Sequence, residues 1–324
     1  MPLPSITVVI PAFNAEPWIA EALTSALRQT AGRDTLEIIV VDDGSADGTA
    51  ETAARVLHDS GVVHSVVRHA TSRGPSAARN DGWRRAAGAW VQFLDADDCL
   101  APNKFEQQGT LAARATASVA AIYSPWARLV TTAGQWSVEQ PSVRPRIGDD
   151  PMLDVLRSDS FLQLGCLLFS REWLQRVDGF VESYSFIEDV DLLLRLLLAG
   201  GTLAQAPADE PLSFYRQHPG SLSRSDDARF TEGCVRNARL VDAHWSARGE
   251  LTATRAASLA GIYLDAARYY AGRDRPRYQQ LFDDMERLVP GFRPDSSRPV
   301  RLLAGLVGTR RAELVAARYR RMRR

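Results

Sequence analysis

Two alternating hydrophobic patterns organise the first hundred residues. Four short β-branched or apolar runs bounded by turn residues predict strands buried on both faces: Ile6 to Ile10, Leu36 to Val41, Val62 to Val67 and Trp90 to Leu94. Helical spacing between them predicts helices over Pro17 to Gln29, Asp47 to Asp59 and Pro75 to Ala87. Strands that alternate with helices are typical of an α/β fold with a doubly wound, mostly parallel sheet, in which ligands bind beyond the carboxyl ends of the strands.

The remaining two thirds of the chain divide near residue 224. Up to there the pattern stays mixed, with helices predicted at Asn103 to Ala115, Asp149 to Ser158 and Glu188 to Leu198, and strands at Val119 to Tyr123, Cys166 to Phe169 and Leu212 to Arg216. Beyond it, long helical patterns cover Asp227 to Arg248, Leu251 to Tyr270 and Tyr278 to Val289. We therefore predict one layered domain over residues 1–224 and a C-terminal helical appendage over 225–324.

The charged residues also distinguish the two ends of the chain. The 324 residues contain 39 basic and 39 acidic side chains, so the net charge gives no general attraction to nucleic acid, and none is expected as a partner. Residues 301–324 hold eight arginines and one glutamate, which leaves a net charge of −7 on the first 300 residues. An arginine-rich helix could lie on an anionic membrane surface. The alternatives are a solvated helix, a frayed end, or a helix docked on the acidic body.

Three widely spaced cysteines indicate neither a disulfide framework nor a zinc site, since Cys99, Cys166 and Cys234 form no CxxC pair. The N-terminal residues do not resemble a signal peptide, and no run approaches the 18 apolar residues of a membrane span. We expect a cytoplasmic protein, with peripheral contact at the cytoplasmic membrane face as an alternative.

Carboxylates cluster where the predicted strands end. Asp42 and Asp43 follow the second strand, a position where capping or turn formation explains them equally well. Asp95, Asp97 and Asp98 follow the fourth strand, and three carboxylates within four residues repel one another. Hard oxygen ligands at this spacing favour Mg²⁺ or Mn²⁺, which can in turn bind nucleotide phosphates. The alternative is a solvated acidic turn.

Loops after the first and third strands could also contact a phosphate ligand. The first strand runs into Pro11-Ala12-Phe13-Asn14-Ala15-Glu16, and the third leads to Arg73-Gly74-Pro75 at the start of a helix, where glycine allows close backbone approach. No GxGxxG follows the first strand, and the P-loop motif does not occur. A nucleotide would therefore be held in another way.

Several strings together resemble glycosyltransferase family 2, whose members are inverting enzymes with the GT-A fold. The similarity rests on VVIPAFNAEPWI, EIIVVDDGSADGT, GPSAARNDGWRRAAG and FLDADD, and continues through IEDVDL and YRQH to about residue 224. It implies a nucleotide-sugar donor half over residues 1–98 and an acceptor half over 99–224. The Arg73-Gly74 pair departs from the family's usual Asn-x-Gly, which leaves Arg73 either on the diphosphate or in a solvated loop.

The resemblance assigns roles to individual residues. It implies that the donor nucleotide is bordered by Pro11, Ala12, Phe13, Glu16 and Gly74, with Asp43 accepting a hydrogen bond from the base. Asp95, Ala96 and Asp97 form the DxD motif, with Asp95 near the ribose and Asp97 the better metal ligand, and Asp98 extends the cluster.

Glu188 and Asp189 match the family's ED motif, which makes Asp189 the candidate general base for an acceptor hydroxyl. The alternative is that both acids only stabilise the helix by placing negative charge near its positive N-terminal end. His218 is either a further metal ligand or a structural loop residue, and Trp126, Trp136 and Trp173 either stack on sugars or pack in the core.

These residues predict a metal-dependent inverting hexosyltransferase that uses Mn²⁺ or Mg²⁺. It would move a sugar from a nucleoside diphosphate sugar, with UDP as the expected nucleotide, to a glycan or lipid-linked glycan acceptor in cell-surface polysaccharide or glycolipid synthesis. Two alternatives remain open. A nucleotidyltransferase would normally show a glycine-rich basic loop after the first strand, and a non-catalytic nucleotide- or carbohydrate-binding module would have no need of Asp189.

Overall fold

The chain forms two compact units, Met1–Leu222 and Ser223–Arg324. The computed structural model describes residues 2–132, 135–157, 161–184, 186–218, 226–292 and 298–322. The described part of the first unit contains eleven strands: β1 (Ile6–Ala12), β2 (Leu36–Asp42), β3 (Val63–Arg68), β4 (Trp90–Phe93), β5 (Cys99–Leu100), β6 (Val119–Tyr123), β7 (Trp126–Thr132), β8 (Gln135–Val138), β9 (Leu167–Ser170), β10 (Thr202–Gln205) and β11 (Ser213–Arg216).

Helices connect most of these strands. They are α1 (Glu16–Leu27), α2 (Thr49–Leu57), α3 (Pro75–Arg85), α4 (Lys104–Ala112), α5 (Pro151–Arg157), α6 (Arg171–Arg176) and α7 (Glu188–Leu198). Proline occupies the first turn of α1 and of α3, where its fixed φ suits the helix and its missing N–H removes no intrahelical bond.

Seven strands form the main sheet in the order β10-β6-β9-β4-β1-β2-β3. Parallel pairs join β1 to β2 and β4, β2 to β3, and β6 to β10, while β9 runs antiparallel between β4 and β6. The predicted doubly wound, mostly parallel sheet is therefore confirmed. Because β1 lies between β2 and β4, the loops that follow these three strands meet at one edge of the sheet.

A second, four-stranded sheet has the order β5-β11-β7-β8. β5 and β11 pair antiparallel, with Ser213 opposite Leu100 and Phe214 opposite Cys99. Since β5 begins directly after the Asp95–Asp98 loop and β11 ends two residues before His218, this pairing brings the two segments together.

The prediction that Val62 to Val67 is buried on both faces is wrong. β3 is the edge strand of the main sheet, and Val63 is 71% exposed. A β-branched run of this kind has the same composition at an edge and at the centre of a sheet, so the pattern does not distinguish them. The short strands β5, β7, β8 and β10 were also not predicted.

The second unit is helical, as the sequence predicts. Its described helices are α8 (Asp227–Arg248), α9 (Ala253–Tyr270), α10 (Arg275–Leu288), α11 (Arg298–Val307) and α12 (Thr309–Met322). The side chains of Asp226, Thr252 and Asp274 cap α8, α9 and α10 by accepting hydrogen bonds from first-turn N–H groups.

The basic tail forms α11 and α12, and α12 docks within its own unit. Arg268 on α9 donates to the buried Glu313 carboxylate at 2.7 Å, and Arg310 donates to Asp283 and Glu286 of α10. Among the described residues, no helix has both the length and the apolar character needed to cross a bilayer. Cys99, Cys166 and Cys234 are free thiols.

Candidate functional site

The loops after β1 and β2 bind each other at the carboxyl edge of the main sheet. Asn14 sits at a φ of 48° and receives a hydrogen bond from Ala46 N on its side-chain oxygen, while its own N–H donates to Ser45 Oγ. Glu16 Oε2 accepts from Gly48 N at 3.0 Å. Pro11 is half-buried and Ala12 is buried, whereas Phe13 is 53% exposed. Phe13 therefore presents the accessible apolar surface at this edge.

Asp43 is buried, and its carboxylate is occupied by its own chain. It accepts from His69 Nδ1 (2.7 Å), Ser72 Oγ (2.7 Å), Arg73 N (2.9 Å) and Gly74 N (2.8 Å). Burial alone would raise the pKa of Asp43, but these hydrogen bonds outweigh it and lower the pKa.

The roles that the resemblance implies for Asp43 and Gly74 stay predictions. A carboxylate has about four acceptor positions, so a base that donates to Asp43 would have to replace one of these donors. The Gly74 N–H donates to Asp43 in this structure. Gly74 itself has a φ of 91°, which favours glycine, and Arg73 pairs with Glu182 at 3.0 Å.

The three carboxylates after β4 point in different directions. Asp95 Oδ1 accepts from Arg79 at 2.8 Å, and Asp97 Oδ2 lies 3.0 Å from His218 Nε2. Asp98 is buried and accepts from Arg216 N and Gln163 Nε2, each at 2.8 Å. Asp98 is thus an internal anchor between β4 and β11 rather than an extension of an open acidic cluster.

Burial and mutual repulsion raise two pKa values in this loop. Burial first and the Asp95 carboxylate second raise the pKa of Asp97, with the His218 hydrogen bond opposing them. Burial and the charges of Asp97 and Asp95 raise the pKa of Asp98 well above its usual value. Ala96, between the two motif acids, is buried.

An aromatic cluster fixes the His218 side of the site. The Trp18 ring stacks on His218 with centroids 5.2 Å apart, and the Arg216 guanidinium lies 5.0 Å from the Trp18 ring and 4.5 Å from Trp136. Arg216 Nε also donates to the backbone oxygen of Asp97 at 2.7 Å. The DxD loop, α1 and the β7–β8 hairpin are therefore joined through one buried arginine.

Glu188 and Asp189 begin α7, and Arg79 connects them to the DxD loop. Arg79 Nη1 donates to Glu188 Oε1 at 2.7 Å, while its Nη2 donates to Asp95. Burial, followed by the Glu188 charge, raises the pKa of Asp189 to about 7, although the nearby Arg79 opposes this shift. A carboxyl group with a pKa near neutrality is suited to accept a proton at physiological pH.

Comparison with known proteins identifies the class to which this site belongs. Residues 7–178, just over half of the chain, match the family described as Glycosyl transferase family 2. The chain belongs to this family. It is therefore a transferase enzyme, and the predicted resemblance is confirmed.

Relatives and solved structures agree with this membership. An uncharacterized glycosyltransferase of Haemophilus influenzae is 35% identical over 108 residues, which are 33% of this chain and 42% of the relative. The succinoglycan biosynthesis protein ExoO of Rhizobium meliloti is 30% identical over 230 residues, which are 68% of this chain and 63% of ExoO. The chain thus spans less than two thirds of either relative.

Two solved structures share the fold. S. aureus TarS 1-349 in complex with UDP-GlcNAc has a TM-score of 0.66 at 18% identity, covering 98% of this chain and 92% of that one. The Pyrobaculum calidifontis mannosyltransferase PcManGT in complex with GDP-Man and Mn²⁺ has a TM-score of 0.56 at 20% identity, covering 99% and 87%.

For this family 2 glycosyltransferase, the sequence motifs converge but the arginines between them were missed. The sequence signal for Arg79 was its place in the GPSAARND string, to which no role had been given. The sequence signal for Arg216 was its place in YRQH, two residues before His218. Three tryptophans are candidates for stacking on sugars. Trp126 and Trp173 are buried, whereas Trp136 is partly exposed and its ring contacts the Arg216 guanidinium.

Proposed function

We propose that this enzyme is a metal-dependent inverting glycosyltransferase that moves a sugar from a UDP-sugar to an acceptor hydroxyl. The observation that carries the proposal is one arginine between two functional motifs. Arg79 contacts Asp95 of the DxD motif and Glu188 of the ED motif, so the acids expected to hold the donor lie close to the candidate base Asp189.

The residues beside the DxD loop fit a divalent cation that also binds the donor. Among the described residues, no group of three or more histidine, cysteine, aspartate or glutamate side chains is placed to hold a metal ion. Asp97 and His218 instead form a pair at 3.0 Å. Mg²⁺ and ions of similar preference usually take one or two protein ligands and complete their shell with waters and substrate phosphates.

We assign the cation to Asp97 and His218. Asp95 bonds Arg79 through Oδ1, which leaves Oδ2 as an alternative ligand atom, but its bond to Arg79 leads us to place Asp95 nearer the ribose. When bound, Mn²⁺ or Mg²⁺ would stabilise the negative charge that develops on the departing diphosphate.

Asp189 supplies the base for the transfer. Its carboxylate accepts the proton of the acceptor hydroxyl as that oxygen attacks the anomeric carbon of the donor sugar. The bond between the anomeric carbon and the diphosphate oxygen breaks, and its electron pair leaves with the nucleoside diphosphate. Attack from the face opposite the leaving group inverts the anomeric configuration. Glu188, held by Arg79, orients the first turn of α7.

The loops after β1 and β2 form the nucleotide side of the site. We assign base contact to the exposed Phe13, with Pro11, Ala12 and Glu16 shaping the loop around it. Asp43 fixes the Ser72–Gly74 backbone from within, and Gly74 leaves open space where a side chain would project. Ala96 places only a buried methyl group between the two acids of the DxD motif.

The comparisons support the substrate classes without choosing among them. A relative named for succinoglycan biosynthesis supports a role in cell-surface polysaccharide or glycolipid synthesis, with a glycan or lipid-linked glycan as acceptor. UDP-GlcNAc in TarS and GDP-Man with Mn²⁺ in PcManGT support a nucleotide-sugar donor.

A thermal-shift screen tests the donor assignment. We expect UDP with Mn²⁺ to raise the unfolding temperature more than UDP or Mn²⁺ alone, because a ligand that binds only the folded state stabilises it, by about 2.7 kcal/mol at 100 times its Kd. GDP, TDP and ADP with Mn²⁺, and UDP with EDTA, are the controls. A larger shift with another nucleotide would reassign the base, and no shift with any of them would contradict the proposal.

The tail helices carry an apolar surface that suits an anionic membrane. Leu302, Leu306 and Val307 of α11 are exposed, with Leu306 at 84%, and Val315 and Tyr319 of α12 are exposed as well. Apolar side chains on an arginine-rich helix favour the interface of a bilayer that contains anionic lipid. We propose peripheral binding of this surface to the cytoplasmic membrane face, where lipid-linked acceptors are available.

Flotation with lipid vesicles tests this contact. We expect the intact chain to float with phosphatidylglycerol-containing vesicles and not with purely zwitterionic ones. The double substitution Leu302→Asp, Leu306→Asp should abolish flotation because it places charges where apolar side chains enter the interface. Val63→Asp, the same change at an exposed valine of β3, should retain it. Equal flotation by the double variant, or none by the intact chain, would contradict the proposal.

A further inference from the structure

Helix α3 holds the segment that leads into α7. Ser76 Oγ donates to the backbone oxygen of Tyr184 at 2.7 Å. Asn80 makes two bonds to Phe180, donating from Nδ2 to its oxygen and accepting from its N–H on Oδ1. The α3 side chains that belong to the donor-half motif thus make their contacts with the part of the chain that carries the candidate base.

The start of α7 depends on contacts from outside the helix. Ile187, the residue before Glu188, has a φ of 56°, a left-handed conformation that is unfavourable for a β-branched side chain. The apolar side chain of Ile187 supplies no capping hydrogen bond to the first turn. A strained residue persists only where the surrounding structure determines its conformation, and the Arg79–Glu188 bond is such a constraint on the first turn.

Arg79 is built into the protein as a fixed positive charge. Its side chain is 7% exposed, its guanidinium lies 5.4 Å from the Phe180 ring, and both Nη atoms bind carboxylates. Nε is buried and has no hydrogen-bond partner among the described residues. Burial would lower the pKa of Arg79, but Asp95 and Glu188 raise it, so the group stays charged. One cation therefore compensates one acid from each motif.

We propose that Arg79 is a positioning residue that, through its bond to Glu188, holds the first turn of α7 and balances the charge beside Asp189. Arg79 compensates the Glu188 charge, which would otherwise repel a second negative charge at the adjacent residue. It also holds the first turn of α7, on which both acids are carried. The functional meaning of this arrangement rests on the proposed role of Asp189 as base, whereas the physical coupling does not.

Few other titratable groups act on Asp189. Glu188 and Arg79 do so directly, and the buried Cys166 thiol lies close enough for the Asp189 charge to raise the pKa of that thiol. Helix α5 packs beside α7. It carries Asp154, whose carboxylate accepts from Gly148 N, and Arg157, whose side chain is exposed. Of these groups, Arg79 is the cation that opposes the upward shift of Asp189.

Carboxyl NMR titration tests the coupling without substrate or metal. In protein labelled with ¹³C at the aspartate Cγ, the Asp189 signal is assigned by its loss in Asp189→Asn. We expect Arg79→Met to raise the pKa of Asp189 by about one unit, the lower end of the range for a nearby opposite charge, because it removes the cation that opposes the upward shift. Arg79→Lys keeps the charge but not the two Nη groups that bind Asp95 and Glu188, so the pKa of Asp189 should shift less in this variant.

Arg84→Met is the matched control on the same helix. Arg84 is partly exposed and pairs with Asp178 and Glu182, not with Glu188, so Asp189 should titrate as in the unaltered protein. If Arg79→Met does not fold by circular dichroism, Glu188→Gln replaces it and should lower the pKa of Asp189. An unchanged Asp189 titration in the variant used, or an equal shift in Arg84→Met, would overturn the coupling. Full turnover by Asp189→Asn would instead remove the proposed base and leave the coupling intact.

Discussion

Asp189→Asn should lower the transfer rate by about 10² to 10⁴-fold while leaving donor affinity unchanged. The amide keeps the shape of the side chain but cannot accept the acceptor hydroxyl proton, and general base catalysis contributes about that factor. The proposed cation ligands Asp97 and His218 and the nucleotide-side loops are untouched, so calorimetric titration with UDP and Mn²⁺ should give the same Kd as the unaltered enzyme.

The pH dependence provides a second measurement of the same substitution. The pKa of Asp189 is about 7, so the unaltered enzyme should gain activity as the pH rises through 7 and the base loses its proton. This rise in activity with pH should be missing from the residual activity of Asp189→Asn. Asp178→Asn is the matched control, because Asp178 is an exposed acid on the loop before α7. This variant should keep both the transfer rate and its rise with pH.

Stability separates loss of the base from loss of the fold. The folded-state pKa of Asp189 lies above its unfolded value, so ionising this group destabilises the protein progressively as the pH rises from about 4 through 7. Asparagine carries no such charge, and Asp189→Asn should therefore not lower the unfolding temperature at pH 8. Full turnover by the variant would exclude Asp189 as the base.

Sequence reasoning predicted the donor half well because its signals are local. The hydrophobic periodicity of the sequence predicts the alternation of β1, α1, β2, α2, β3, α3 and β4. A parallel sheet with β1 at its centre then requires the loops carrying Phe13, Asp43 and Asp95 to meet at one edge. The candidate residues could thus be grouped before any contact between them was known.

The second sheet could not be predicted in the same way. β5 has two residues, and β7 pairs in parallel with β11, a strand far away in the sequence. Such strands form because a distant partner supplies their hydrogen bonds, which leaves little local pattern to detect. The position of His218 beside Asp97 follows from the β5–β11 pair, so the sequence could propose that contact only by resemblance.

The two buried arginines illustrate the same limit in the chemistry. Arginine is usually exposed, and nothing in the residue type shows that Arg79 lies between two carboxylates or that Arg216 lies against two tryptophans. In both cases the partners come from segments far apart in sequence. Asp98 shows the converse, since its place in an acidic run suggested an open ligand although Arg216 and Gln163 enclose it.

Asp97→Ala should abolish the part of donor affinity that depends on Mn²⁺. Without this carboxylate, the cation has only His218 on the protein side of the proposed site, and a bound nucleotide loses the bridge between its phosphates and the protein. Calorimetry with UDP should show at least a tenfold weaker Kd in the presence of Mn²⁺, and the same Kd as the unaltered enzyme in EDTA.

The neighbouring acid provides a sharp control for this prediction. Asp97→Asn and Asp98→Asn make the same chemical change one residue apart. Asp98 is enclosed, and its raised pKa disfavours the charged form, so an amide can still accept from Arg216 N. The Gln163 amide, whose Oε1 has no hydrogen-bond partner, can rotate to accept from the new amide group.

Asp98→Asn should therefore keep the Mn²⁺-dependent affinity that Asp97→Asn loses. The comparison separates a ligand from a structural acid within one loop, since both variants replace one carboxyl group of the same cluster with an amide. If both variants lose affinity equally, the effect belongs to the cluster as a whole and not to Asp97. Intact Mn²⁺-dependent binding in Asp97→Ala would exclude Asp97 as a metal ligand and leave Asp95, through its Oδ2, as the acid that could take its place.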